Sequence, residues 1–169
     1  IVSLFDATGA FIGVGSFNPH SLISFRKMAS DPQTGIDRSF FIKKFRRCVE
    51  LRDALVNSPF YRMVHSEGDG LPGLVIDRFD DIVACQLNTA GMDLLKEDIV
   101  AALDEVLRPS CIVLRAESSA RALEGLDPIY EVVSGTLPDV VPVRENGISF
   151  FADLKDGQKT GWFYDQREN

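Results

Sequence analysis

Three kinds of residue in this 169-residue chain carry chemistry by type: cysteine, histidine and clustered carboxylate. A thiolate can add to an electrophilic carbon, but only where its surroundings lower the thiol pKa. Cys48 falls on the apolar side of a helical repeat. Cys85 lies inside the run Ile82-Val-Ala-Cys-Gln-Leu87, and Cys111 opens another apolar run. That pattern buries all three, and a buried structural thiol is inert. His20 and His65 stand in different segments without partner spacing, so neither metal ligation nor a triad is indicated. Glu67, Asp69 and Asp77 gather around one loop. Turn chemistry accounts for Asp69, and an ion pair with the adjacent Arg78 for Asp77. A paired-carboxylate hydrolase has no second signature here. No catalytic residue and no metal ligand is assigned.

Gly68-Asp-Gly70-Leu-Pro-Gly73 matches the dinucleotide fingerprint G-x-G-x-x-G letter for letter. That motif cradles phosphate only when a helix N-terminus follows it. Here Leu74-Val-Ile-Asp-Arg-Phe follows, which is strand-like. The expectation is a structural turn joining two strands.

The last residues read Gly157-Gln-Lys-Thr-Gly-Trp-Phe-Tyr-Asp-Gln-Arg-Glu-Asn169. Asp165 with Glu168 three residues on spells a capping box, so a helix is expected to begin there. A helix opening at the end of the sequence, with Ile1 rather than Met at the other end, reads as a piece of a longer protein.

This segment resembles the lead-in motif, G-x-K-T-G-aromatic-aromatic-x-D-Q-R-x-N, of the S-adenosylmethionine-dependent ribosomal large-subunit RNA cytosine-C5 methyltransferase family and its close relatives. Gly68 to Phe79 resembles that family's central-domain signature, and Arg115 through Arg121 to Glu124-Gly125 resembles its R-x-x-S-x-x-R-x-x-E-G run. The first thirty residues resemble the second half of its PUA-like RNA-binding barrel. The resemblance implies a methyltransferase of cytosine C5 in 23S ribosomal RNA, with ribosomal RNA as partner and S-adenosylmethionine (SAM) as cofactor. Cofactor and nucleophile would belong to a Rossmann-like domain absent from this chain, which would itself be inactive. It also implies that Phe163, Tyr164, Asp165, Gln166 and Arg167 line the cofactor site. Chemically, Gln166 can donate and accept, an aromatic face can stack on a purine, and Lys159 or Arg167 can meet an anion. A non-catalytic RNA-binding or scaffold module remains the alternative.

Charge is unevenly distributed. The net charge is −7, yet residues 1–57 carry 8 Lys+Arg against 5 Asp+Glu, and the remainder 10 against 20. An RNA face would therefore lie in the first third, with Lys43, Lys44, Arg46 and Arg47 as its candidates. The same four residues would equally serve as the solvated side of a helix. Three cysteines in no disulfide or metal spacing point to a reducing, cytoplasmic setting, and no apolar run is long enough for a membrane span.

The elements that must position these groups form an α+β chain. Residues 1–30 read as a remnant of a PUA-like barrel, with a hairpin at Thr8-Gly9 and a strand over Leu22–Arg26. Residues 31–57 read as linker and connecting helix, capped by Asp37 and burying Phe41, Phe45, Cys48, Val49 and Leu55 at 3.6-residue spacing. Residues 58–138 read as a compact mixed α/β central domain: a short strand over Arg62–His65, a hairpin turning at Asp80-Asp81, one helix spanning Met92 to Val106 with Asp93 near its start, a strand at Ile112–Arg115, and a short helix stopped by Gly125. Residues 139–169 read as a hairpin with Asn146-Gly147 at its tip, then the lead-in motif. Docking of that hairpin onto a second copy, giving a homodimer, is one arrangement open to the chain.

Overall fold

A computed structural model describes residues 1–157 together with Trp162 and Tyr164. The chain begins with a three-stranded antiparallel sheet in order β1-β2-β3, formed by β1 (Val2–Phe5), β2 (Phe11–Phe17) and β3 (Phe25–Ala29). The first turn is held by Asp6, whose carboxylate accepts from Thr8 N at 2.8 Å and Ala10 N at 2.9 Å. The sheet does not close into a barrel among the described residues. The strand expected from Leu22 starts only at Phe25, and Leu22 is 101% exposed. The reason is turn chemistry. Asn18 Oδ1 accepts from His20 N, and Asn18 N donates to Ser24 O, so residues 18–24 form a loop rather than a strand.

The connecting helix forms as its sequence predicts. In α1 (Arg38–Leu55), Asp37 caps the N-terminus by accepting from Phe40 N at 3.0 Å. Its buried face is Phe40, Phe41, Phe45 and Cys48. Leu55 is not part of that face: it is 73% exposed in the last turn, where the helix has run past its partners.

The central sheet has five strands in order β4-β5-β6-β7-β8: β4 (Phe60–His65), β5 (Leu74–Phe79), β6 (Ile82–Leu87), β7 (Cys111–Ala116) and β8 (Ile129–Gly135). Only the β6–β7 pairing is parallel. A parallel pair needs a crossover, and α2 (Ala90–Leu94) with α3 (Lys96–Leu107) provides it. The single helix expected here is therefore two. Leu95 leaves helical geometry at φ −96°, ψ 15°; the N-cap of α2 is Thr89, which accepts from Met92 N, and Asp93 lies in the first turn, near the helix start as expected. The short α4 (Ser119–Leu123) follows β7.

Each face of the sheet carries its own core. On one side Ile76, Leu87 and Leu114 pack with Phe41 and Phe45 of α1 and Ile99 and Leu103 of α3. On the other, Phe60, Phe79 and Val113 pack with the hairpin of β9 (Val141–Glu145) and β10 (Ile148–Ala152) through Val141, Val143 and Ala152. The tip residues Asn146 and Gly147 both have positive φ, 52° and 79°, as a type I′ turn requires. Trp162 and Tyr164 complete this second core.

Candidate nucleic-acid interface

The glycine loop is a structural turn. Ser66–Asp69 forms a single 3-10 turn between β4 and β5, and strand rather than helix follows. Gly73 has φ +84°, and a Cβ there would come within 2.3 Å of the Thr89 side chain. The loop is thus pressed against the start of α2, with no helix end offered to a phosphate. Asp69 accepts from His65 N at 2.6 Å and pairs with Arg52 at 2.7 Å, which fixes the loop to α1.

Asp77 does not pair with the adjacent Arg78. Neighbouring strand residues point to opposite faces. Asp77 therefore meets its cross-strand partner Arg62 in a two-pronged ion pair at 2.8 and 3.0 Å, while Arg78 reaches the Tyr61 hydroxyl at 2.9 Å. Tyr61 in turn donates to Asp53 on α1. These carboxylates are all committed to structural partners.

The residues Arg115 to Gly125 form the joint of the molecule. Glu124 follows α4, and its side chain is 4% exposed. It accepts from Asn18 Nδ2 at 3.0 Å, Ser21 Oγ at 2.7 Å, Arg26 Nη2 at 3.0 Å and Ala90 N at 3.3 Å. Burial pushes its pKa up, but the hydrogen bonds from Asn18, Ser21, Arg26 and Ala90 outweigh that and hold it at about 2. One carboxylate therefore ties the first sheet to the central domain. Gly91 reinforces the joint, because a Cβ there would lie 2.3 Å from Ser16 on β2. Arg121 donates to the Leu87 and Asp127 carbonyls and pairs with Asp93 at 2.8 Å. Arg115 donates to the carbonyls of Leu154 and Gly157, clamping the turn that leads to the terminal motif.

The four basic candidates of α1 separate into two groups. At 100° per residue, Lys43, Lys44 and Arg47 share one stripe. Arg46 lies off it and pairs with Glu105 of α3 at 3.5 Å. Lys44 and Arg47 line a groove of about 420 Å³ with Glu67 and Gly70. Beside it, between the 18–24 loop and α4, is a cleft of about 560 Å³ that shares Glu67 as a wall.

Of the residues implied for SAM, Phe163, Asp165, Gln166 and Arg167 lie outside the described residues, as does Lys159. Tyr164 is described. Its hydroxyl donates to Arg78 O at 3.0 Å, and its ring lies 5.9 Å from that of Phe79. Much of Tyr164 is thus spent on packing to the sheet.

The three cysteines are buried, and each thiol pKa is raised by desolvation first, Cys48 to about 11. Among the described residues no cluster of His, Cys, Asp or Glu could hold a metal ion. No helix of the described residues is long and apolar enough to cross a membrane. Nothing in the sequence points to the convergence of Arg26, Asn18 and Ser21 on Glu124. Their separations of 98, 106 and 103 residues leave no local signal.

No protein-family model matches the chain. Among curated proteins, it is 34% identical over 171 residues to ribosomal RNA large subunit methyltransferase I of Pseudoalteromonas atlantica, covering 99% of this chain and 43% of that protein. The protein of the same name from Pseudoalteromonas translucida is 36% identical over 172 residues with the same coverage. The chain spans less than half the length of these relatives. A solved Streptococcus mutans protein assigned as a SAM-dependent methyltransferase superposes with a TM-score of 0.81 at 24% identity, covering 99% of this chain and 43% of that one. Another assigned methyltransferase, solved in complex with SAH, superposes at 0.80 and 23% identity. The chain's homologues are thus named ribosomal RNA large subunit methyltransferases, and its fold is found within structures assigned as methyltransferases.

Proposed function

We propose that this chain is the RNA-recognising part of a SAM-dependent methyltransferase acting on cytosine C5 of 23S ribosomal RNA. The observation that carries the proposal is the likeness over 99% of the chain to proteins named ribosomal RNA methyltransferases. In this reading residues 1–30 belong to a PUA-like RNA-binding unit and 31–57 to the connecting helix. Residues 58–138 form the central domain, and 139–169 lead into a catalytic domain. The joint at Glu124 would fix the RNA-binding unit relative to the central domain, and the clamp from Arg115 would fix the lead-in motif relative to both.

A C5 methyltransferase needs a thiolate, and Cys48, Cys85 and Cys111 are buried with raised pKa values. The nucleophile would therefore come from elsewhere in the longer protein, and this chain alone would transfer no methyl group. SAM would supply the methyl group, and Phe163 to Arg167 would contribute to its site. Its cellular place would be the cytoplasm, and its assembly a homodimer.

The test has two arms. The chain should bind 23S ribosomal RNA in low salt and transfer no label from SAM. In a protein of the relatives' length, label should appear at C5 of cytosine, and Gln166→Ala should weaken SAM binding by about 1–2 kcal/mol. Label on another base would overturn the cytosine assignment. Absence of RNA binding by the chain would favour a scaffold role.

A further inference from the structure

We infer that the cleft between the 18–24 loop and α4 receives a single unstacked nucleobase of a bound RNA strand, whose backbone runs along Lys43, Lys44 and Arg47. The inference rests on the proposed RNA-binding role and adds the site and the form of ligand. Its walls are apolar and unusually exposed: Leu22 from the loop and Leu123 from α4, with Ile23 beside them. Exposed leucines on facing walls leave apolar surface in water, and a flat base slotted between them would cover it.

The polar groups suit a base edge. Arg26 lines the cleft, and its Nε is buried without a hydrogen-bond partner among the described residues. That nitrogen is enclosed by protein, but the side chain keeps 19% of its surface exposed and its Nη1 is held only by Glu67 at 3.4 Å, so the guanidinium can still donate to a ligand acceptor. Glu67 lines the same cleft as acceptor, its side chain 62% exposed, with Oε1 paired loosely to Arg26 at 3.4 Å and Oε2 accepting from Ser66 Oγ. One donor and one acceptor above apolar walls match the edge and faces of a nucleobase. The same cleft is poor for phosphate, since Glu67 and Glu124 together outnumber Arg26.

Phosphate is provided for next door. The groove holding Lys44 and Arg47 shares Glu67 with the cleft, so the Ser66–Gly70 loop is the ridge between them. A strand lying on the basic stripe would turn one base over that ridge. About 560 Å³ accommodates a nucleoside and excludes a duplex.

The test uses fluorescent single-stranded RNA of about seven nucleotides, intact or with its central base removed, titrated by anisotropy in low salt. The wild-type chain should bind the abasic strand about fivefold or more weakly. In a Leu22→Ser, Ile23→Ser, Leu123→Ser variant that difference should vanish, while salt dependence and melting temperature stay unchanged. These three side chains are exposed, so the fold should tolerate the change. Equal binding of intact and abasic strands by the wild type would overturn the cleft while leaving RNA binding intact. A variant that instead loses concentration-dependent self-association, with RNA contrast retained, would make the cleft a docking face and also overturn it. If wild type binds neither strand and Lys44→Glu, Arg47→Glu changes nothing, the RNA-binding reading itself fails.

Discussion

Arg26 on β3 and Glu124 at the end of α4 lie 98 residues apart in sequence and meet at 3.0 Å in a pair that is largely shielded from water. Breaking a buried pair leaves a charge without its partner, which costs more than the pair contributes when intact. Glu124→Gln is expected to destabilise the chain by about 3 kcal/mol at neutral pH, the value of lowering a carboxyl pKa from 4.5 to about 2. Urea denaturation would read it. Because the pair joins two modules, the first sheet should also become sensitive to protease before the central domain does.

The same pair predicts an acid response with a definite sign. The folded pKa of Glu124 is depressed, so its contribution is present above 4.5 and is lost as pH falls toward about 2. Wild-type stability should drop through that window, and the Glu124→Gln curve should be flatter there. Parallel curves would mean that other carboxylates dominate. Asp6, Asp37 and Asp153 also have lowered pKa values, but all three are at the surface, where solvent screens the effect.

What is legible in the sequence is whatever local chemistry governs. The Asp37 cap, the Asp80 turn and the Asn146-Gly147 hairpin each depend on residues within a few positions, and all three form as expected. β8 is rich in β-branched and aromatic residues but lacks clean alternation, with Tyr130, Glu131 and Val132 all exposed, so its place in the sheet is set by pairing with β7. The strand expected at Leu22–Arg26 fails where Asn18 imposes a loop on apolar residues. Asp77 takes Arg62 rather than Arg78 because strand alternation opposes proximity in sequence. The run from Arg115 to Gly125 is visible as a motif, but its function as a joint emerges only in the fold, since its partners come from three distant segments.

The cysteines should be silent. With Cys85 and Cys111 fully buried and Cys48 nearly so, and all three pKa values raised, a thiol reagent at pH 8 should label none within minutes. All three should react in denaturant. Rapid native labelling of Cys48 would show that α1 opens easily and would weaken the case against it as a nucleophile.

The basic stripe should not behave as one patch. Lys43→Glu, Lys44→Glu and Arg47→Glu are each expected to weaken RNA binding and to reduce the salt slope by about 0.7 for each phosphate no longer neutralised. Arg46→Glu should do less, since Arg46 already faces Glu105. Equal losses at all four positions would indicate diffuse attraction rather than a path along the stripe.

Trp162, the only tryptophan in the chain, reports on the Arg115 clamp. Arg115 is buried and donates to the carbonyls of Leu154 and Gly157, holding the turn from which the terminal motif departs. Trp162 packs 5.0 Å from Phe150 against the hairpin core. Arg115→Met keeps a long apolar stem but removes every donor, leaving the Leu154 carbonyl unsatisfied at a cost of about 1–3 kcal/mol. Tryptophan emission should shift to the red under native conditions, below the denaturant concentration of global unfolding. Arg115→Lys retains one donor group and should restore part of the shift. If stability falls while native emission stays unchanged, Arg115 supports the sheet generally and does not hold the terminal motif in place. A red shift rescued by lysine would tie the placement of Trp162 to a cationic donor at position 115.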